Sequence, residues 1–142
     1  MLNSEKAAEI ISTQKPMDKS VINRVKKTLA SKGVKIEQSA ELDKYLILAG
    51  KEAVVYSDNT IVMHTGVSAS GFFEELIHYG QLKSGRAVYG DNINTVLLEI
   101  EAQERLIKYK KAYKITDEEI AILKSNLNEY KILLEKLQGE GE

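Results

Sequence analysis

Val21, Val25 and Leu29 recur one helical turn apart between Asp18 and Ser31, which predicts an amphipathic helix ended by Gly33. Upstream, Ser4 is placed to cap a shorter helix through Ile11, and Pro16 separates the two. The spacing then changes. Val34-Lys35-Ile36-Glu37 alternates apolar and polar residues and predicts a short strand, after which Ser39 can cap a brief helix carrying Leu42, Tyr45 and Leu46 that Gly50 stops. Ala53-Val54-Val55-Tyr56 and Thr60-Ile61-Val62-Met63-His64 are β-rich runs separated by Ser57-Asp58-Asn59, the chemistry of a tight hairpin. The sheet is therefore expected to be small and antiparallel.

Beyond the hairpin the helical period returns. Gly66-Val67-Ser68-Ala69-Ser70 turns the chain into a helix over Gly71 to Gln81, with Ser68 or Ser70 as its cap. Lys83-Ser84-Gly85-Arg86 and Tyr89-Gly90-Asp91-Asn92 read as loop, and a long helix follows from about Ile93 to Lys111. Its Leu97, Leu98, Ile100, Ala102, Leu106 and Ile107 fall on more than one face, so it should be covered on two sides, with burial threatening one of Glu99, Glu101 and Glu104. Thr116 and Glu119 form a capping box. Ile120, Leu123, Leu127, Tyr130, Leu134 and Leu137 then alternate spacings of three and four, which lays the last helix antiparallel along the preceding one.

Composition narrows the chemistry. The 142 residues are 43% hydrophobic and 29% charged, as expected of one soluble globular domain with a sizeable core. The apolar runs are too short for a membrane span, and Met1-Leu2-Asn3-Ser4-Glu5-Lys6 lacks the basic-then-apolar layout of a signal peptide. A net charge of −1 supplies no field for nucleic acid or an anionic membrane, so neither is expected as a partner. Cysteine is absent, so any metal must use carboxylates and the two histidines, His64 and His78.

The candidate site is Phe72-Phe73-Glu74-Glu75-Leu76-Ile77-His78-Tyr79-Gly80-Gln81. On a helix, Glu74 and His78 lie one turn apart on one face, with Glu75 beside them, Gln81 following and apolar residues on the flanks. Carboxylates on an otherwise apolar helix are costly to bury unless paired or bound to a metal. A zinc peptidase helix presents two ligands at i and i+4 and a glutamate at i+1 that takes a proton. Glu74, Glu75 and His78 fill that frame, with Glu in place of the first His. The third ligand can come from a glutamate on the next long helix. Glu101 is the first choice, one turn from Leu97 and Leu98. Glu99 is the reserve, because its neighbours one turn on are Ala102 and Gln103. Two carboxylates and one imidazole nearly cancel the charge of Zn²⁺, which leaves a weaker Lewis acid and admits another divalent metal.

The hairpin, the serine-containing turn from Gly66 to Ser70, the Glu-Glu-Leu-Ile-His helix and the later Leu98-Glu99-Ile100-Glu101-Ala102 together resemble the zincin-like metallopeptidase toxin domains of bacterial polymorphic toxin systems. The resemblance spans about residues 40 to 137. It implies an α+β fold, a minimal zincin-like domain with a small antiparallel sheet, an active-site helix and a C-terminal antiparallel helix hairpin. Residues 1–142 are then one domain: N-terminal helices and a short strand over 1–38, the zincin-like core over 39–137, and a frayed tail over 138–142. It further implies zinc held by Glu74, His78 and Glu101 or Glu99, Glu75 as the catalytic base, and a protein or peptide substrate. An immunity protein as partner, and delivery as the end of a larger secreted protein, are also implied.

Two other classes use the same residues. Glu75-Leu76-Ile77-His78 is also the Glu-x-x-His element of di-iron helical bundles, but Glu101-Ala102-Gln103-Glu104 carries Glu where the second His belongs. Alternatively, the chain is a non-catalytic interaction module or degenerate pseudo-peptidase whose terminal helices bind a partner. His64, at a strand end, is expected at the surface and not in the site. Lys108, Lys110, Lys111 and Lys114 suit a helix C-terminus and water. Tyr79 and Tyr89 could donate to an oxyanion, although tyrosines more often fill cores and interfaces.

Overall fold

A computed structural model describes residues 14–57, 59–88 and 90–140; the helix expected from Ser4 to Ile11 lies outside them. The chain forms two compact units, one running to Glu75 and the other from Leu76. Five helices and three strands are found among the described residues, an α+β composition.

In the first unit, α1 (Lys19–Ala30) starts at Asp18, whose side chain accepts from Ser20 N at 2.8 Å. It buries Ile22 and partly covers Val21, Val25 and Leu29. Gly33, at φ +79°, turns the chain into β1 (Lys35–Glu37), a conformation that a side chain would strain. Ser39 then caps α2 (Ala40–Leu48) by accepting from Leu42 N at 3.1 Å, and Leu46 is fully buried. β2 (Ala53–Ser57) and β3 (Thr60–Met63) form the expected antiparallel hairpin, with an irregularity between Val55 and Ser57.

The sheet is mixed, not antiparallel throughout. Its order is β1-β3-β2, and β1 pairs in parallel with β3 in the register Lys35↔Thr60, Ile36↔Ile61 and Glu37↔Val62. Because α2 and β2 intervene, the chain has reversed twice before it reaches β3, which therefore runs the same way as β1. The central place of β3 explains its composition. Ile61, Val62 and Met63 are all buried, as a strand covered on both faces requires.

α3 (Ala69–Lys83) begins at Ser68, whose hydroxyl accepts from Gly71 N at 3.1 Å; of the two candidate caps this is the one used. The division between the units falls inside this helix. Its C-terminus is a Schellman turn. Arg86 N donates to Gln81 O at 3.0 Å and Gly85 N to Leu82 O at 3.1 Å, with Gly85 at φ +77°.

In the second unit, Asp91 caps α4 (Asn92–Lys108) by accepting from Asn94 N at 2.9 Å. The capping box closes as expected: Glu119 N donates to Thr116 Oγ1 at 3.2 Å, and Thr116 N to Glu119 Oε2 at 2.8 Å. It opens α5 (Asp117–Glu140), which runs to the last of the described residues; residues 141 and 142 of the expected frayed tail lie outside them. Ile93 at the start of α4 and Leu137 near the end of α5 line one cleft, so the two helices are antiparallel. α5 covers Ile120, Leu123, Leu127, Tyr130, Leu134 and Leu137, the stripe its spacing predicts. Among the described residues no helix is long and apolar enough to cross a membrane.

Candidate metal centre

Helical geometry alone sets Glu74 and His78 on one face of α3, a turn apart. Glu99 of α4 joins them. Each of the three offers one ligand atom, and these atoms lie within 4.8 Å of one another. His78 Nε2 stands 3.2 Å from Glu99 Oε1, with the two side chains 25% and 24% exposed. The cluster is thus partly shielded from water yet reachable.

Of the two candidates for the third ligand, Glu99 approaches His78, and Glu101 is engaged elsewhere. Arg86 Nη1 donates to Glu101 Oε1 at 2.7 Å and Nη2 to Oε2, a bidentate pair, while Gln81 Nε2 donates to Glu101 Oε1 at 3.3 Å. The hydrogen bonds from Arg86 hold the Glu101 carboxyl below the usual carboxylate range. Of the two leucines one turn before Glu101, Leu98 is buried but Leu97 is 45% exposed, so they do not form a single core stripe. The positions one turn beyond Glu99 are instead among the most buried in the chain, Ala102 at 0% and Gln103 at 1%. A polar Gln103 gave no hint of that in the sequence. Glu104, the other carboxylate of this helix, is exposed.

Gln81 ties the cluster to its surroundings. It is buried, and its amide nitrogen donates to Leu98 O at 3.1 Å, a carbonyl that can only accept. Its Oε1 therefore faces His78 Nδ1, 2.9 Å away, and accepts a hydrogen bond from it. With Nδ1 as donor, Nε2 is the ring nitrogen that faces Glu99. At 3.2 Å, Nε2 and Glu99 Oε1 form an ion pair when the imidazole is protonated and can share a cation when it is not, and an imidazole with two carboxylates is a donor set that zinc and other divalent cations accept.

Glu75 is half-buried at the next position of α3, about 100° round the helix from Glu74. It is outside the converging trio, as a base need not be a ligand. Tyr79 is buried, with Lys83 Nζ 5.9 Å from its ring centre, and Tyr89 lies outside the described residues. His64 is not the surface residue that its strand-end position suggested. Gly66 N donates to its Nδ1 at 2.8 Å, and its Nε2 is 3.8 Å from Asp43 Oδ2, with only 15% of the side chain exposed. Lys108, Lys110, Lys111 and Lys114 are exposed, as expected of a solvated helix end.

One carboxylate had no signal in the sequence. Glu52 accepts from Ser68 N at 3.0 Å and from Gln14 Nε2, which places it at the start of the site helix. Burial, reinforced by the charge of Glu74, raises its carboxyl above the ordinary value against the opposing pull of these hydrogen bonds. A Cβ on Gly71 would come within 2.6 Å of Glu52 Oε2, so any larger residue there must displace this carboxylate. Glu52 follows a turn and precedes a strand, and only the folded chain brings it to Ser68.

No protein-family model, curated protein or solved structure matches this chain.

Proposed function

We propose that Glu74, His78 and Glu99 hold one divalent cation, zinc by donor type, and that the chain is a metal-dependent peptidase of the zincin-like toxin kind. The carrying observation is the convergence of these three side chains from α3 and α4. Such a cation, when bound, polarises a carbonyl and acidifies water. Glu75 supplies the carboxylate that takes a proton from the attacking water and passes it to the amine released as the C–N bond breaks. With two carboxylates among the ligands the cation is a weaker Lewis acid than one held by imidazoles, so turnover is slow. A protein or peptide is the substrate, and a neutralising immunity protein the partner, on the strength of the sequence resemblance.

The second reading is an interaction module. It draws support from Ile122, Ile132 and Leu133, which stand exposed on α5 outside the stripe packed on α4. The di-iron reading has less, because the cluster contains a single imidazole and Glu104 is turned to water. Metal analysis of protein purified without chelator separates the three. One divalent ion per chain, lost in His78→Ala, supports the peptidase site, two irons the bundle, and no metal under any condition the interaction module.

A further inference from the structure

The sequence singles out Gln81 only as the residue after the site helix's histidine turn, and no step of the proposed chemistry uses it. Its contacts suggest why glutamine stands there. The side chain is buried, and both ends of its amide are committed: nitrogen to Leu98 O and Glu101 Oε1, oxygen to His78 Nδ1. Neither end can be reversed, since that would set an oxygen against the Leu98 carbonyl and a carboxylate.

The contacts continue outward from Gln81. Glu101 is gripped by both Arg86 nitrogens, and Arg86 is delivered there by the Schellman turn that closes on Gln81's own carbonyl. Asn94 Nδ2 adds a bond to Arg86 O at 2.8 Å, which ties the turn to the first turn of α4. The last turn of α3 and the middle of α4 are thus joined by a line of side chains, Arg86 to Glu101 to Gln81 to His78.

We propose that Gln81 is a positioning residue for His78: held by Leu98 and the Arg86–Glu101 pair, it keeps the proton on Nδ1 and aims Nε2 at the cation position beside Glu99. A histidine side chain in water favours the proton on Nε2, the tautomer that would blunt this ligand, so the orientation has to be imposed. Partners of this kind, one bond removed from a metal ligand, are typically worth about 10–100-fold in metal affinity. The proposal rests on the reading of Glu74, His78 and Glu99 as ligands, but its tautomer arm is independent of any metal.

The test uses the full chain and zinc alone as probe. Gln81→Met keeps the length and apolar bulk of the side chain and removes the acceptor. Imidazole ¹⁵N spectra of the metal-free protein should show His78 protonated at Nδ1 in the parent and shifted toward Nε2–H in Gln81→Met. Zinc affinity of that variant should fall by about 10–100-fold, with an unchanged ligand count. Arg86→Met, at the exposed end of the line, should lose several-fold in affinity, and it serves as the test if Gln81→Met does not fold. Parent-like affinity in the folded variant, or an unmoved tautomer, overturns the proposal. If the parent itself takes up no zinc, the peptidase reading fails, and the role of Gln81 is decided by the tautomer alone.

Discussion

Glu99 Oε1 stands 3.2 Å from His78 Nε2, whereas Glu101, two residues along the same helix, is turned about 200° away and clasped by Arg86. The two carboxylates are equally polar in sequence and differ in what they face. Glu99→Gln should therefore lower zinc affinity by at least about tenfold, because it replaces a charged ligand with a neutral one. Glu101→Gln should cost less. Calorimetric titration of both variants checks the order, and an equal or reversed loss would reinstate Glu101 as the ligand.

Binding and catalysis should come apart at adjacent residues. Glu75→Gln retains metal, since it alters none of the three converging groups, but should reduce hydrolysis of a general peptide substrate by about 10²–10⁴-fold. Glu74→His restores a second neutral ligand, so it should bind zinc at least as well as the parent and hydrolyse no more slowly. Full activity in Glu75→Gln, or loss of metal in Glu74→His, would show that base and ligand are wrongly assigned.

Glu52 gives stability a pH dependence of predictable sign. Its carboxyl is raised in the folded chain by burial, so at intermediate pH the folded state binds more protons than the unfolded one. This contribution is fully present below the unfolded value and is lost as pH rises through the folded one. Glu52→Gln keeps an oxygen for Ser68 N and Gln14 and cannot ionise. Its Tm should exceed the parent's at pH 7, and the gap should close as the pH falls toward the unfolded carboxylate range. A parent more stable at pH 7 would refute the account.

Gly71 and Glu52 should show coupled energetics. In the parent, Gly71→Ala sets a Cβ 2.6 Å from Glu52 Oε2, and overpacking of this kind costs about 1–3 kcal/mol against the ~1 kcal/mol that alanine contributes to a helix. In a Glu52→Ala background the obstacle is gone, and the same substitution should stabilise. Denaturant unfolding of the four proteins in a double-mutant cycle reads the change of sign; additive effects would exclude the steric coupling.

Local chemistry is what the sequence alone determined. Ser39, Ser68 and Thr116 cap helices because a side-chain oxygen meets a backbone N–H three residues on, an interaction complete within one turn. The stripe from Ile120 to Leu137 and the shared face of Glu74 and His78 follow likewise from helical period. Tertiary structure decided the rest. Strand direction was not legible in Val34-Lys35-Ile36-Glu37, since alternation reports which face is buried and not which neighbour pairs. Glu99 rather than Glu101 meets His78 because the rotation of α4 is set by packing, in which a buried Gln103 overrides the pattern of polarity. Glu52 reaches Ser68 from 16 residues away, and Gln81 reaches Glu101 from 20; such contacts exist only once the chain has folded.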